Sequence, residues 1–183
     1  MHLSEEQIAF YDVAKDFALK KMAPNAEKWD EEKIFPVETL QELAALGFGG
    51  IYVNPELGGS GLSRLDASLI FEALSQGCTS TSAFLSIHNM ANWMIDSFAS
   101  SELKERFVPD LCSMSKIASY CLTEAGAGSD AGSLKTKAIK NGDHYIVNGT
   151  KSFISGGGYS DVYVTMVRTG DDSASGISTL LIE

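Results

Sequence analysis

Apolar residues in the first part of the chain recur three and four positions apart, which is the spacing of one face of an α-helix. Ser4 and Gln7 form a capping-box pattern that predicts the start of the first helix, and Phe10 and Phe17 lie on its apolar face. Pro24 is expected to end this helix, because proline lacks the amide hydrogen that a helix interior requires.

Four more helices are predicted by the same criteria. The second has Pro36 in its first turn and ends at Gly47, and Ser63 with Asp66 can cap the third. The fourth is uncharged over most of its length and should be largely buried. The fifth is short and is expected to break or kink near Pro109. The residues that could cap the fourth helix are Thr79, Ser80 and Thr81.

From Ile117 onward the pattern changes to short runs rich in β-branched and aromatic residues. The pairs Asn141-Gly142 and Asn148-Gly149 are turn signals, and the first fits a β-hairpin. Strands are therefore predicted in the runs IASYCL, LKTKAIK, HYIVNG, KSFIS, DVYVTMVR and GISTLLIE.

Helices first and strands afterwards indicate a segregated α+β fold. The boundary is expected near Lys116, with a helical domain over residues 1–116 and a β domain over residues 117–183. The last run reaches Glu183 without a closing turn, which would leave an open sheet edge, so the β domain is expected to be incomplete.

The net charge of the chain limits the kinds of molecule that it is expected to bind. The formal net charge is −10 and no Lys/Arg-rich run is present, which argues against nucleic acid and anionic membranes as partners. The longest uncharged stretch, residues 73–95, contains too many amide and hydroxyl side chains for a membrane span. Three cysteines without CxxC spacing favour a reducing compartment, and three scattered histidines predict no metal site.

The run YCLTEAGAGSDAGS, residues 120–133, contains three glycines directly after a predicted strand. It contains neither GxGxxG nor GKS/GKT, so spacing alone favours a mobile surface turn over a phosphate loop. Thr123 and Ser129 could still bind a polar ligand. Glu124 and Asp130 could form an acid/base pair, although turn carboxylates more often cap backbone amides.

This run and the later SFISGGG together resemble the flavin-binding signature of the acyl-CoA dehydrogenases, and the resemblance extends over the whole chain. The run GCTSTSAFLSIHNMANWMIDSF is similar to the branch of the family that oxidises isobutyryl-CoA in valine breakdown. The resemblance implies an N-terminal all-α domain followed by an incomplete antiparallel, β-barrel-like domain, with the family's C-terminal helical domain absent from this chain.

The resemblance also implies a set of site residues around FAD and an acyl-CoA. Ser129 would contact both ligands, and Leu85, His88 and Asn89 would line the acyl pocket, although core packing explains these three equally well. Ala125 stands where the family usually has proline, and Phe153 where many members have tryptophan. The residues implied in FAD binding are Tyr120, Cys121, Leu122, Thr123, Glu124, Ala125, Gly126, Ala127, Gly128, Ser129, Phe153, Ile154 and Ser155.

The implied reaction removes an α-proton from a short branched acyl-CoA and transfers a β-hydride to the flavin. The family's catalytic glutamate belongs to the C-terminal domain, so no base is assigned here and the chain by itself is expected to be inactive. The resemblance further implies electron-transfer flavoprotein as acceptor, a homotetramer at full length and the mitochondrial matrix. The alternatives are another short substrate such as 2-methylbutyryl-CoA, or a non-catalytic interaction module.

Overall fold

A computed structural model describes residues 2–183 and divides the chain into two compact units, residues 1–117 and residues 118–183. The first is helical and the second contains a β-sheet, so the predicted order of helices followed by strands is confirmed. The helices are α1 (Glu5–Phe17), α2 (Ala23–Glu31), α3 (Val37–Ala45), α4 (Arg64–Ser75), α5 (Thr79–Phe98) and α6 (Ser101–Cys112).

The predicted capping box of α1 forms, and the predicted caps of α4 form a second one. Ser4 and Gln7 cap α1 reciprocally, and Ser63 and Asp66 do the same for α4. The Gln7 side-chain amide also donates a 3.0 Å hydrogen bond to the Asp66 carboxylate. The N-termini of two helices far apart in sequence are thereby joined through their caps.

Neither helical proline ends its helix, although an end was expected at Pro24 and a break or kink near Pro109. The chain stays helical beyond Phe17, through the π-helical segment Ala18–Met22 into α2, where Pro24 occupies the first turn. Proline is tolerated there because first-turn amides have no partner inside the helix. Pro109 lies within α6, which continues to Cys112.

The start of α5 also differs from prediction, since Cys78 occupies the N-cap position without a side-chain hydrogen bond. The helix is therefore capped by none of the three predicted residues, Thr79, Ser80 and Thr81.

The core of the helical unit is formed by apolar side chains from α1, α3, α4 and α5. Gly77, just beyond α4, allows a close approach to the π-helical segment. A Cβ atom at Gly77 would lie 2.4 Å from the carbonyl oxygen of Ala18. Packing therefore requires glycine at this position.

The second unit contains β1 (Ala118–Cys121), β2 (Lys137–Asn141), β3 (His144–Asn148), β4 (Val162–Arg168) and β5 (Ile177–Ile182). β5 lies antiparallel to one edge of β4, whereas β1 and β2 pair in parallel with successive stretches of the other edge. The sheet is thus mixed rather than wholly antiparallel. Parallel pairing of β1 with β4 is feasible because a long connection containing the β2–β3 hairpin separates them.

The predicted hairpin is confirmed, with Asn141 opposite His144 and Gly142 at φ +63°. The predicted strand at KSFIS is wrong, because residues 151–155 form no strand and Phe153 has φ +57°. A positive φ is incompatible with an extended strand. Among residues 2–183, no helix is long and apolar enough to cross a membrane.

Replacing Gly77 with alanine tests the contact with Ala18. We expect Gly77→Ala to lower the free energy of unfolding by about 1–3 kcal/mol, because the added methyl group overpacks the interface. Gly128→Ala is the matched control, since a Cβ atom there meets nothing within 4 Å. Urea denaturation of both variants measures the difference, and equal stabilities would contradict the packing requirement.

Candidate functional site

The glycine-rich run forms a tight turn directly after β1. The amide of Glu124 donates to the carbonyl of Ala127, and the amide of Ala127 donates back to the carbonyl of Glu124, each over 3.1 Å. Ala127 is buried, whereas Ala125, Gly126 and Gly128 are exposed. The turn therefore buries Ala127 and has an outward surface made largely of backbone.

The Glu124 carboxylate fixes this turn to two other parts of the β unit. It accepts hydrogen bonds from the backbone amides of Lys135 and Thr136, over 2.6 and 2.9 Å, and from the Thr136 hydroxyl over 2.5 Å. The Lys151 ammonium group lies 2.9 Å from the same carboxylate. Both charged side chains are only 10% exposed, so solvent screens their attraction weakly.

These contacts determine the protonation state of Glu124. Burial is the largest influence and raises the pKa, but the donors from Thr136, Lys135 and Lys151 together outweigh it and lower the pKa to about 2. Glu124 is consequently ionised at neutral pH and is a weak base. The alternative in which it takes part in acid/base chemistry is not supported, and it acts as a structural anchor.

The second motif is attached to the first through Lys151 and Ser152. Lys151 donates to the carbonyl of Leu122 over 2.9 Å, and the amide of Ser152 donates to the carbonyl of Thr123 over 2.8 Å. Two segments separated by about thirty residues in sequence thus meet side by side. The structure brings together the two runs that the sequence singled out.

Phe153 projects from the second motif. Its side chain is 94% exposed and its backbone has a positive φ, which is uncommon for a bulky residue. Further along the segment, the carbonyl of Ser155 accepts a hydrogen bond from the buried Ser119 hydroxyl, which also contacts Ser160. An aromatic ring is therefore held in solvent on a backbone anchored on both sides.

The glycine turn has room and hydrogen-bonding capacity for a ligand. Cβ atoms at Gly126 and Gly128 would meet nothing within 4 Å, and neither residue has a positive φ. Within residues 2–183, the backbone amides of Gly126, Gly128 and Ser129 donate no hydrogen bond. Neither packing nor backbone conformation requires glycine here, so the open space and unused donors fit a polar ligand that approaches the backbone closely.

The remaining residues predicted around the flavin differ in accessibility. Cys121 is buried in β1, and Tyr120 is half-buried with its pKa raised by burial. Ile154 is half-buried and Ser155 is exposed. Asp130 accepts a hydrogen bond from the Ser133 hydroxyl, as expected for a turn carboxylate.

Leu85, His88 and Asn89, predicted for the acyl pocket, are buried inside the helical unit. The Asn89 side chain accepts from the amide of Ile51 over 2.7 Å and donates to the carbonyl of Phe48 over 2.8 Å. His88 Nε2 lies 2.9 Å from the Leu111 carbonyl. Each residue has a role in the core, and a further role beside an acyl group stays a prediction.

His88 is neutral at physiological pH. Burial disfavours the imidazolium form and lowers the pKa to about 4, although hydrogen bonds with the backbone of Leu111 and Gly49 partly oppose the shift. A neutral histidine can join α5 to α6 without a buried charge.

The more accessible face of α5 contains residues that the sequence analysis did not single out. Ser86, Ile87, Met90 and Met94 are half-buried and follow each other at helical spacing, and Ala83 is exposed one turn earlier. Helical periodicity places these residues on one face of α5 and places Leu85, His88 and Asn89 on another face. It does not reveal which face the core covers, because both are largely uncharged.

Replacing Glu124 with glutamine tests the anchor. We expect Glu124→Gln to lower the free energy of unfolding by about 3 kcal/mol at pH 7, because Lys151 would remain buried without its counter-charge. Since the pKa of Glu124 is depressed when folded, this contribution is complete above its ordinary value near 4.5 and declines towards pH 2.

The difference between wild type and Glu124→Gln should therefore shrink as pH falls from 6 to 2, as measured by urea denaturation. Asp110→Asn is the control, because its ion pair with Lys116 is solvent-exposed and should contribute under about 1 kcal/mol. A pH-independent difference would contradict the anchor role.

Comparison with known protein families identifies both units. The model of the acyl-CoA dehydrogenase N-terminal domain matches residues 4–115, and that of the acyl-CoA dehydrogenase middle domain matches residues 119–183. Both the glycine turn and the Phe153 segment lie within the second match.

Two curated relatives are the mitochondrial isobutyryl-CoA dehydrogenases of Bos taurus, 57% identical over 183 residues, and Dictyostelium discoideum, 60% identical over 182 residues. The matches cover 100% and 99% of this chain but only 44% of each relative, so the chain spans less than half their length. A solved FAD complex of PigA superimposes on 100% of this chain and 49% of its own with a TM-score of 0.93 at 34% identity. The chain belongs to the acyl-CoA dehydrogenase family.

Proposed function

We propose that this chain is part of an FAD-dependent acyl-CoA dehydrogenase that acts on isobutyryl-CoA. The observation that carries the proposal is the glycine turn, which has open space and free amide donors. Its neighbour Thr123 is hydrogen-bonded to Ser152, the residue before the exposed Phe153. The substrate is supported by the two isobutyryl-CoA dehydrogenases that match nearly the whole chain. The cofactor is supported by the similarity to the FAD complex of PigA.

The residues that fit the cofactor divide into two groups. The Thr123 hydroxyl and the free amides of Gly126, Gly128 and Ser129 would supply hydrogen bonds to polar groups of the cofactor. The ring of Phe153 would contact an aromatic ring system, because it is exposed and its backbone is anchored on both sides. Ser129 would also contact the acyl-CoA, and the adjoining positions Tyr120 to Ala127, Ile154 and Ser155 complete the proposed site.

The chemistry that FAD supplies when bound is acceptance of a hydride from the β-carbon of the acyl group. The residues of this chain would bind and orient the reactants and exclude water. No residue of the chain is proposed as the base that removes the α-proton. Glu124 is excluded because four donors occupy its carboxylate and lower its pKa to about 2. We therefore propose that these 183 residues alone do not turn over substrate.

The acyl pocket would use α5 as one wall. Leu85, His88 and Asn89 stay candidates, but their side chains are fully buried in the helical core. Ser86, Ile87 and Met90 retain access and are better placed to contact a ligand. A small change in such a pocket changes substrate preference by only about 1–3 kcal/mol per methylene group. 2-Methylbutyryl-CoA is therefore the substrate to compare.

The wider biological setting is proposed on the same similarity. The full-length protein would be a homotetramer that passes electrons to electron-transfer flavoprotein in the mitochondrial matrix. The organelle is supported by the two isobutyryl-CoA dehydrogenases, which are both mitochondrial.

Replacing Gly128 with leucine in the full-length protein tests cofactor binding separately from folding. We expect flavin content to fall by at least tenfold, because the side chain would fill the space beside the backbone that FAD needs. Thermal unfolding of the apoprotein should change little, since the chain places no atom within 4 Å of the new Cβ. Lys140→Leu, at an exposed position of β2, is the control for flavin content. Full flavin occupancy in Gly128→Leu would contradict the proposed cofactor site.

Anaerobic addition of isobutyryl-CoA to the purified full-length protein tests the reaction. We expect the visible flavin absorbance to bleach, and to bleach more slowly with 2-methylbutyryl-CoA. Faster bleaching with another acyl-CoA would keep the family reaction but change the substrate. A full-length protein without flavin would favour the interaction-module alternative, and substrate-dependent flavin reduction by the 183 residues alone would contradict their proposed inactivity.

A further inference from the structure

A groove in the β unit carries positive charge that the proposed flavin contacts do not use. Its volume is about 370 Å³, which is within the range of small-molecule sites. The groove lies where β2 pairs with β4, since Lys137 is opposite Arg168 in the parallel register. Its lining residues are Ser133, Leu134, Lys135, Lys137, Arg168 and Asp172.

Two lysines supply free cations at this groove. From residue 133 to 138 exposed and buried residues alternate, so Ser133, Lys135 and Lys137 share the exposed face. Within the described part of the chain, neither lysine ammonium group forms an ion pair. Both ammonium groups are thus available to an incoming anion.

Arg168 adds a third, buried positive charge. Its guanidinium group is 4% exposed and donates to the backbone carbonyls of Gly132, Leu134, Asp171 and Ser173. The nearest carboxylate, on Asp172, is 3.9 Å away and 98% exposed, so solvent screens it strongly. Arg168 therefore shapes the groove wall, and the exposed carboxylates of Asp171 and Asp172 compensate its charge only in part.

The positive groove contrasts with the charge of the chain, which has a net charge of −10. Three cations and one carboxylate line it, so it is a local site of positive potential on an acidic protein. Phosphate groups are the anions best matched to such a site, since they accept several charge-assisted hydrogen bonds from lysine donors.

We propose that this groove binds a phosphate group of a nucleotide, and that Lys135 and Lys137 are its direct contacts. The inference rests on the proposed function, which involves two ligands that carry phosphate. The phosphate could belong to the nucleotide end of the acyl-CoA or to the diphosphate of FAD. The acyl-CoA is the favoured source, because the glycine turn already offers free amide donors to FAD.

The test uses Lys135→Gln and Lys137→Gln in the full-length protein, with Lys140→Gln as matched control. Lys140 is an exposed lysine on the same strand that does not line the groove. Each groove variant should raise KM for isobutyryl-CoA roughly two- to fivefold, as expected for loss of one partly exposed ionic contact. KM for the isobutyryl thioester of pantetheine, which lacks phosphate, should not change.

Direct binding provides a readout independent of turnover. Calorimetric titration with adenosine 3′,5′-bisphosphate should show weaker binding to both groove variants and unchanged binding to Lys140→Gln. A rise in the FAD dissociation constant with an unchanged KM would support the groove as a phosphate site but assign it to the flavin. Unchanged KM, bisphosphate binding and FAD binding would overturn the proposal. If the bisphosphate binds in a lysine-dependent way but isobutyryl-CoA is not oxidised, the groove is supported as a phosphate site and isobutyryl-CoA is rejected as the substrate.

Discussion

The ionised carboxylate of Glu124 is the contact on which the candidate site depends. A turn with several glycines loses much conformational entropy when it is ordered, and its own backbone provides only the two hydrogen bonds between Glu124 and Ala127. The carboxylate supplies the missing constraint through donors from Lys135, Thr136 and Lys151. Because the pKa is depressed to about 2, this set of contacts persists throughout the physiological pH range.

Anchoring through one carboxylate leaves the outward surface of the turn free. The amides of Gly126, Gly128 and Ser129 remain unused within residues 2–183 while the turn beneath them is held in place. Preorganised donors of this kind bind a ligand without an additional cost of ordering the loop. Helix α5 likewise has anchoring residues on one face and accessible residues on the other. Buried Asn89 and His88 bind neighbouring segments, whereas the apolar side chains of the opposite face stay accessible.

Arg168 performs a related task elsewhere in the β unit. Its guanidinium group binds carbonyls from residues before β2 and after β4, as Glu124 binds donors from two other segments, residues 135–136 and Lys151. A buried charge satisfied by backbone groups fixes loop geometry more strongly than a neutral hydrogen bond would. Opposite charges therefore organise two surfaces of this unit, one with free amide donors and one with free lysines.

Local sequence patterns were sufficient to predict the order of helices and strands, the caps of α1 and α4, the Asn141-Gly142 hairpin and the family signature, because each depends on residues close together in the chain. The remaining features depend on tertiary packing. The parallel pairing of β1 with β4, the contact of Gly77 with Ala18, the accessible face of α5 and the four donors around Glu124 all join residues distant in sequence. Local patterns indicate which residues can be buried or can form hydrogen bonds. The partners of those residues are set by tertiary packing, which no short stretch of sequence encodes.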